Sequence, residues 1–212
     1  IDVDGTFSVI DDVFGDFATG PLVEFPPQDI PAGRKTVALG VSVAQSQLGY
    51  IVAAPAADES DYLAYRCLLY VLAHGYEGRL GKEAISKKGL VYYIDANYPS
   101  GGGRGWATLS IGVDTDKLAE LESLLGSEIT RLRDEPPSQK EVDEAKQIRI
   151  GRAVSAAESN DERATQRVRH WLSHEELPSV SNLREQLELL TRADVLKVIP
   201  AFSNGLTIAV IP

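Results

Sequence analysis

The chain has 212 residues, of which 43% are hydrophobic and 25% charged, the balance of a folded globular chain long enough to bury a sizeable core. Twenty-one Lys and Arg against 31 Asp and Glu give a formal charge of −10. That balance argues against a nucleic-acid or anionic-membrane surface, because phosphate binding there needs a concentrated basic patch.

Along the chain, Ser8 to Phe17 spaces Val9, Val13 and Phe17 four apart, with Ile10 and Phe14 beside them, and predicts an amphipathic helix. The stretch from Gly20 to Arg34 holds Pro21, Pro26, Pro27 and Pro31, which favour extended backbone, and reads as a linker. Residues 1–20 are therefore expected to be the tail of a preceding unit, 21–34 a Pro-rich linker, and 35–212 a single domain. Absence of Met from a chain starting at Ile1 fits a processed or partial sequence. The acidic start lacks the basic region of a signal peptide, so any leader would lie upstream.

Thr36 to Ala44 alternates, with Val37, Leu39, Val41 and Val43 on one face, and predicts a strand. A second strand is expected over Ser46 to Ala54. Its apolar run, Leu48 to Ala57, is about half of the roughly 18 residues that a membrane span requires. Tyr62 to His74 predicts a buried helix, and Gly78 to Ser86 a shorter one that stops at Gly89. Alternation over Leu90–Tyr98 and over Trp106–Val113 predicts two further strands.

Leu118, Leu121, Leu125, Ile129 and Leu132 form one helical stripe, broken by Pro136-Pro137. Ser138 to Glu141 then has capping-box spacing for a long helix toward Glu158. Helices are also expected over Asp161–Ser173, Ser181–Leu190 and Val195–Val198, the last after a Thr191…Asp194 cap. Leu206 to Ile211 is apolar on both faces and reads as an interior strand. Grouped strands with grouped helices indicate an α+β fold, an antiparallel-rich mixed sheet with helices packed on one face.

Few residues have the look of chemistry. His74 and Glu77 form His-X-X-Glu, but Gly78 stands where a second imidazole would complete an inverted zincin motif, and zinc normally needs three protein ligands. His170 and His174 form an i, i+4 pair near Glu175 and Glu176, at a polar helix end without a further His. Ser100 to Gly105 is rich in Gly but lacks the Lys-Ser/Thr and helix start of a phosphate loop, so a hairpin turn is expected. Cys67, inside an apolar helix, cannot form an internal disulfide and reads as a small core residue. No metal or other cofactor is expected in this chain.

Lys87-Lys88-Gly89-Leu90-Val91-Tyr92 is the most distinctive string. By itself it reads as a helix end closed by Lys and Gly, followed by a strand. With Arg79-Leu80 and Lys82-Glu83 before it, it resembles the Arg-Leu-X-X-Glu-Leu-Arg-Glu-Lys-X-Gly-Leu-Ala-Tyr stretch of the pitrilysin/insulinase family of zinc metallopeptidases, which includes mitochondrial processing peptidase. Phe14-Gly15-Asp16 with Gly20-Pro21, Ser46 to Tyr50, Asp61-Tyr62 with Leu68 and Leu72, and Asn204 to Val210 extend the resemblance over most of the chain.

The resemblance implies the C-terminal, metal-free half of a clamshell of homologous α+β halves. It makes residues 1–20 the last helix of the preceding half. Zinc would lie in the partner half, on His-X-X-Glu-His, and this half would complete the peptide-binding chamber while being inactive by itself. Such halves contribute an Arg and a Tyr seven residues apart, which bind substrate and stabilise the oxyanion. The Tyr falls on Tyr92, with Tyr93 as a one-residue alternative, and the Arg falls on Ile85, which cannot donate a hydrogen bond. Arg79 matches a different Arg of the motif. The implied partners are a homologous zinc-binding half or subunit, in a homo- or heterodimer, and a peptide substrate, with no nucleic acid and no membrane. The other reading is a non-enzymatic structural or binding module that kept the fold and lost the chemistry. Substrate and compartment stay open; bacterial relatives are often exported, and a lone Cys is compatible with that.

Overall fold

The computed structural model describes residues 2–18, 20, 30–41, 45–56, 59–98, 100–101, 104–172 and 179–212, with the side chains of 100, 101, 104 and 169–172 excepted. Its first element, α1 (Val3–Phe14), starts at an Asp2 cap whose side chain accepts from Gly5 N at 3.1 Å. It begins earlier than the apolar spacing suggested because that cap lies outside the periodic residues. None of its residues is buried, and Phe7 and Phe14 are among its exposed side chains.

Among the described residues the six strands form one sheet, in the order β1 (Gly33–Ala38), β6 (Leu206–Ile211), β2 (Gln45–Ala54), β5 (Arg104–Asp114) and β3 (Asp95–Asn97). The two-residue β4 (Ser100–Gly101) pairs with β5 as the expected hairpin. Only β1 and β6 run parallel; the other described pairings are antiparallel. β6 lies between β1 and β2, which explains why it is apolar on both faces.

Two strand expectations move. β1 begins at Gly33 rather than Thr36, because Gly33 N donates to Gly205 O and the strand then follows β6 residue by residue to Ala38. The stretch expected as a strand over Leu90–Tyr98 pairs only at Asp95–Asn97. Leu90 and Val91 are buried in succession, and Tyr92 and Tyr93 are exposed in succession, so the start of this segment does not alternate between two faces.

Residues directly opposite on paired strands share a face. Leu48, Tyr50 and Val52 of β2 and Ala107, Leu109, Ile111 and Val113 of β5 all point into the core. Over them lie α2 (Tyr62–Ala73), α4 (Leu118–Asp134) and the short α9 (Ile199–Phe202). α5 (Gln139–Glu158) packs on α2 as an outer layer, with α6 (Asn160–Leu172), α7 (Val180–Leu189) and α8 (Arg192–Lys197) around it.

The expected stripe closes this layer: Leu118, Leu121, Leu125 and Leu132 of α4 are buried. The helix starts are specified locally. Ser138 and Glu141 form a complete capping box for α5, and Thr191 and Asp194 form another for α8. Gly205 allows the last turn into β6, because a Cβ there would lie 2.2 Å from the Tyr50 ring. Tyr50 donates to Phe202 O at 2.6 Å, and burial pushes its phenol up to about 12.

Candidate functional site

The segment that carries the family-like string begins at α3 (Arg79–Gly81), where the Arg79 side chain is nearly buried. Its guanidinium donates to both Glu141 oxygens, at 2.6 and 3.0 Å, and to Glu135 O at 2.8 Å. Glu141 also accepts from Ser138 N and Oγ, each at 2.8 Å. Arg79 first, and Ser138 with it, hold the Glu141 carboxyl down at about 2. Every Arg79 donor group named here is thus spent on joining α3 to the α4–α5 turn. It is a brace, and these three bonds hold its guanidinium at the α4–α5 turn.

After Gly81 the helix widens into a π-helical turn over Lys82–Lys87, where Lys88 N reaches back five residues to Glu83 O at 3.1 Å. Ile85 sits in this turn, half-buried and packed against the core. Lys88 Nζ pairs with Glu120 of α4 at 2.7 Å, which ties the end of the turn to the helical layer. Gly89 adopts φ +59°, a left-handed conformation that closes helix ends and that glycine accepts without strain. Leu90 and Val91 then dive into the core and leave Tyr92 with 83% of its surface exposed. Tyr92 lies near Lys117, which pairs with Asp114 at 2.7 Å.

Tyr93 goes to a different place. Gly112 of β5 and Gln47 of β2 face each other on the side of the sheet away from the helices. A Cβ at Gly112 would stand 3.3 Å from both the Tyr93 hydroxyl and Gln47 Nε2, so Tyr93 lies across that face. Strand alternation alone could not assign it, because the run Leu90–Ile94 is not a strand.

The face under Tyr93 spans β1, β6, β2 and β5. Val37, Ile208, Val210, Ile51 and Thr108 lie there in adjacent strands, partly or fully exposed, with Trp106 40% exposed and Ser110 exposed at its middle. α2, α4 and α9 pack on the other side. This is a broad surface of mixed apolar and small polar groups with Lys35 and Asp95 toward its two edges, suited to packing against something extended rather than to gripping one small molecule.

The remaining sequence candidates stay apart. His74 Nδ1 is 3.3 Å from Arg152 Nη2, and burial first, then Arg152, lowers the His74 pKa. A guanidinium at the ring nitrogen is a poor neighbour for a cation ligand. No group of three or more His, Cys, Asp or Glu among the described residues could hold a metal ion, so the described residues do not fit a zinc site. His174, Glu175 and Glu176, and the side chain of His170, lie outside the described residues. Gly102 and Gly103 also lie outside them. Cys67 is fully buried, and burial pushes its thiol up to about 11, the state of an inert core thiol. No described helix is long and apolar enough to cross a membrane.

Residues 1–149 match the family model described as the peptidase M16 inactive domain. Among solved structures, the chain is similar to the peptidase M16 inactive domain from Pseudomonas fluorescens, at 18% identity and a TM-score of 0.79, covering 100% of this chain and 51% of that one. A protease from Helicobacter pylori is similar at 17% identity and a TM-score of 0.78, covering 100% of this chain and 53% of that one. A chain of complex III2 from Candida albicans, solved with Inz-5 bound, is similar at 13% identity and a TM-score of 0.78, covering 99% and 52%. This chain therefore spans about half the length of these similar structures, and the likeness at such identities is one of fold. No curated protein sequence matches it.

Proposed function

We propose a function from one premise: this chain belongs to the peptidase M16 family, as its inactive domain. In this reading it is the metal-free half of a zinc peptidase system and completes a peptide-binding chamber whose zinc lies in a homologous half or partner subunit. The supporting observation is the one-sided sheet. Its helical side is closed by α2, α4 and α9, whereas its other side presents Trp106, Ile51 and Val210 together with Thr108 and Ser110. Such a surface becomes the wall of a chamber when a second half faces it. Residues 1–20 would then be the tail helix of the preceding half, with 21–34 as the linker and 35–212 as the closing domain. The exposed apolar side chains of α1 fit that role, since an amphipathic helix with no buried residue has its natural cover elsewhere.

Tyr92 is the auxiliary residue of this proposal. Its phenol is exposed, near the Asp114–Lys117 pair, and could donate to a substrate carbonyl or developing oxyanion. Position 85 supplies no second donor, because Ile85 is aliphatic and turned to the core. This favours the other reading, a scaffold that closes the chamber without touching the chemistry.

The test is made in the longer protein or with the zinc-bearing partner. Ser110→Arg places a bulky charge on the open face, and is expected to lower peptide kcat/KM at least tenfold while leaving Tm unchanged. Unaltered activity would remove the chamber role. Tyr92→Phe separates the two readings: a loss of about 10²-fold supports an oxyanion donor, and an unchanged rate supports the scaffold.

A further inference from the structure

The open face has an inner order, because partners on adjacent strands share a face and fall into rows. One row crosses the whole sheet: Lys35 of β1, Ile208 of β6, Gly49 of β2, Ser110 of β5 and Asp95 of β3. Gly49 lies between the buried Leu48 and Tyr50, which places this row on the side away from the helices. Its centre is low, since Gly49 has no side chain and Ser110 a short one. The neighbouring rows stand higher, with Val210, Gln47 and Tyr93 on one side and Ile51 and Thr108 on the other. The row is therefore a trough.

Two observations give the trough a use beyond packing. The first is Gly49 itself. A Cβ there would meet its nearest atoms, Ile208 O, Ile208 Cβ and Leu109 O, at 3.7 to 3.9 Å, which is ordinary contact, and its φ is not left-handed. Neither crowding nor backbone geometry demands glycine. Glycine weakens a strand interior, and it is found there where a ligand approaches the sheet closely. The second observation is charge. Lys35 and Asp95 are exposed at opposite ends of the row, four strand spacings or about 19 Å apart. Among the described residues neither forms an ion pair. Asp95 accepts a neutral hydrogen bond from Asn97 Nδ2 at 3.0 Å, which leaves its charge unbalanced.

We propose that this trough holds an extended peptide laid across the strands, with an acidic group over Lys35 and a basic group over Asp95. This rests on the chamber reading and deepens it by naming the class of peptide. An extended chain rises about 3.3 Å per residue, so the two charged groups stand about six residues apart. Between them the peptide settles over Gly49 and meets the Ser110 hydroxyl, a donor or acceptor for its backbone. The two ends act together. A peptide with two like charges is attracted at one end and repelled at the other, so the pair selects both spacing and direction.

The experiment measures kcat/KM in the longer protein, or with the zinc-bearing partner, for four fluorogenic peptides in one uncharged frame. They differ only at two positions six residues apart, filled as Lys and Glu, Glu and Lys, Lys and Lys, or Glu and Glu. At low salt one mixed order is expected to exceed both like-charged peptides about fivefold. Exchanging the end charges, Lys35→Glu with Asp95→Lys, should pass the preference to the other mixed order. Gly49→Val fills the trough without a clash, and is expected to lower the rate on the preferred peptide at least fivefold with no fall in Tm. Equal rates on all four peptides, or a preference that survives the charge exchange, overturns the trough. If Ser110→Arg lowers activity while the four peptides are cleaved alike, the chamber stands and the trough alone fails. If Ser110→Arg leaves activity unaltered, the chamber reading fails and the trough with it. Self-association of the 212-residue chain that Ser110→Arg abolishes would seat a second copy on this face and likewise overturn the proposal.

Discussion

The two faces of the sheet are built from the same strands and the same alternation, yet they serve opposite ends. On the helical face, Leu48, Leu109 and Ile111 are 0–2% exposed and meet α2, α4 and α9. On the other face of the same strands, Ile51 and Thr108 are partly exposed and Ser110 is exposed. The difference teaches where stability ends and interaction begins. The core is closed by side chains of this chain alone, whereas the second face is apolar enough to need a cover and polar enough to live without one.

The sharpest way to break this contrast is a pair of truncations on the two faces. Leu48→Ala should cost about 3 kcal/mol or more by denaturant unfolding, since it opens a cavity in a sealed core. Ile51→Ala, three residues away on the open face, should cost about 1 kcal/mol or less. Equal costs would mean that the open face is already packed in the isolated chain.

Next in size is the brace that holds the helical side together. Glu141→Gln should cost about 2 kcal/mol at neutral pH, because it leaves the nearly buried Arg79 guanidinium without its charged acceptor. The Glu141 carboxyl is depressed from 4.5 to about 2 in the fold. Its contribution is therefore fully present above pH 4.5 and is lost as the pH falls toward 2. Acid unfolding curves of wild type and Glu141→Gln should converge over that window. A constant gap between them would show that the pair adds nothing dependent on charge.

The smallest stability effect is expected at Tyr92, where Tyr92→Phe should change unfolding by less than about 0.5 kcal/mol, as for other exposed positions. Any effect of that variant on activity in the assembled protein is then chemical and not structural.

Much of the closed face was legible in the sequence. Ala107 to Val113 alternates over a full strand, and Ser138 to Glu141 and Thr191 to Asp194 write their helix starts in a few residues. Local rules suffice where partners are local. They fail where the partner is distant: β1 is pulled to Gly33 by pairing with β6, at the far end of the chain. They fail also at Leu90–Tyr93, where burial of two consecutive residues after the left-handed Gly89 defeats a period of two. Tyr92 and Ile85 were located by resemblance to a motif; no physical pattern in the residues would have singled them out.

The central claim is that this chain closes a catalytic chamber but holds no complete one. It is tested most directly by assaying the isolated chain with added zinc and fluorogenic peptides, with and without a chelator, and again after adding the zinc-bearing half. The account predicts no hydrolysis by the chain alone, and chelator-sensitive hydrolysis that rises on mixing. Chelator-sensitive cleavage by the chain alone would contradict it.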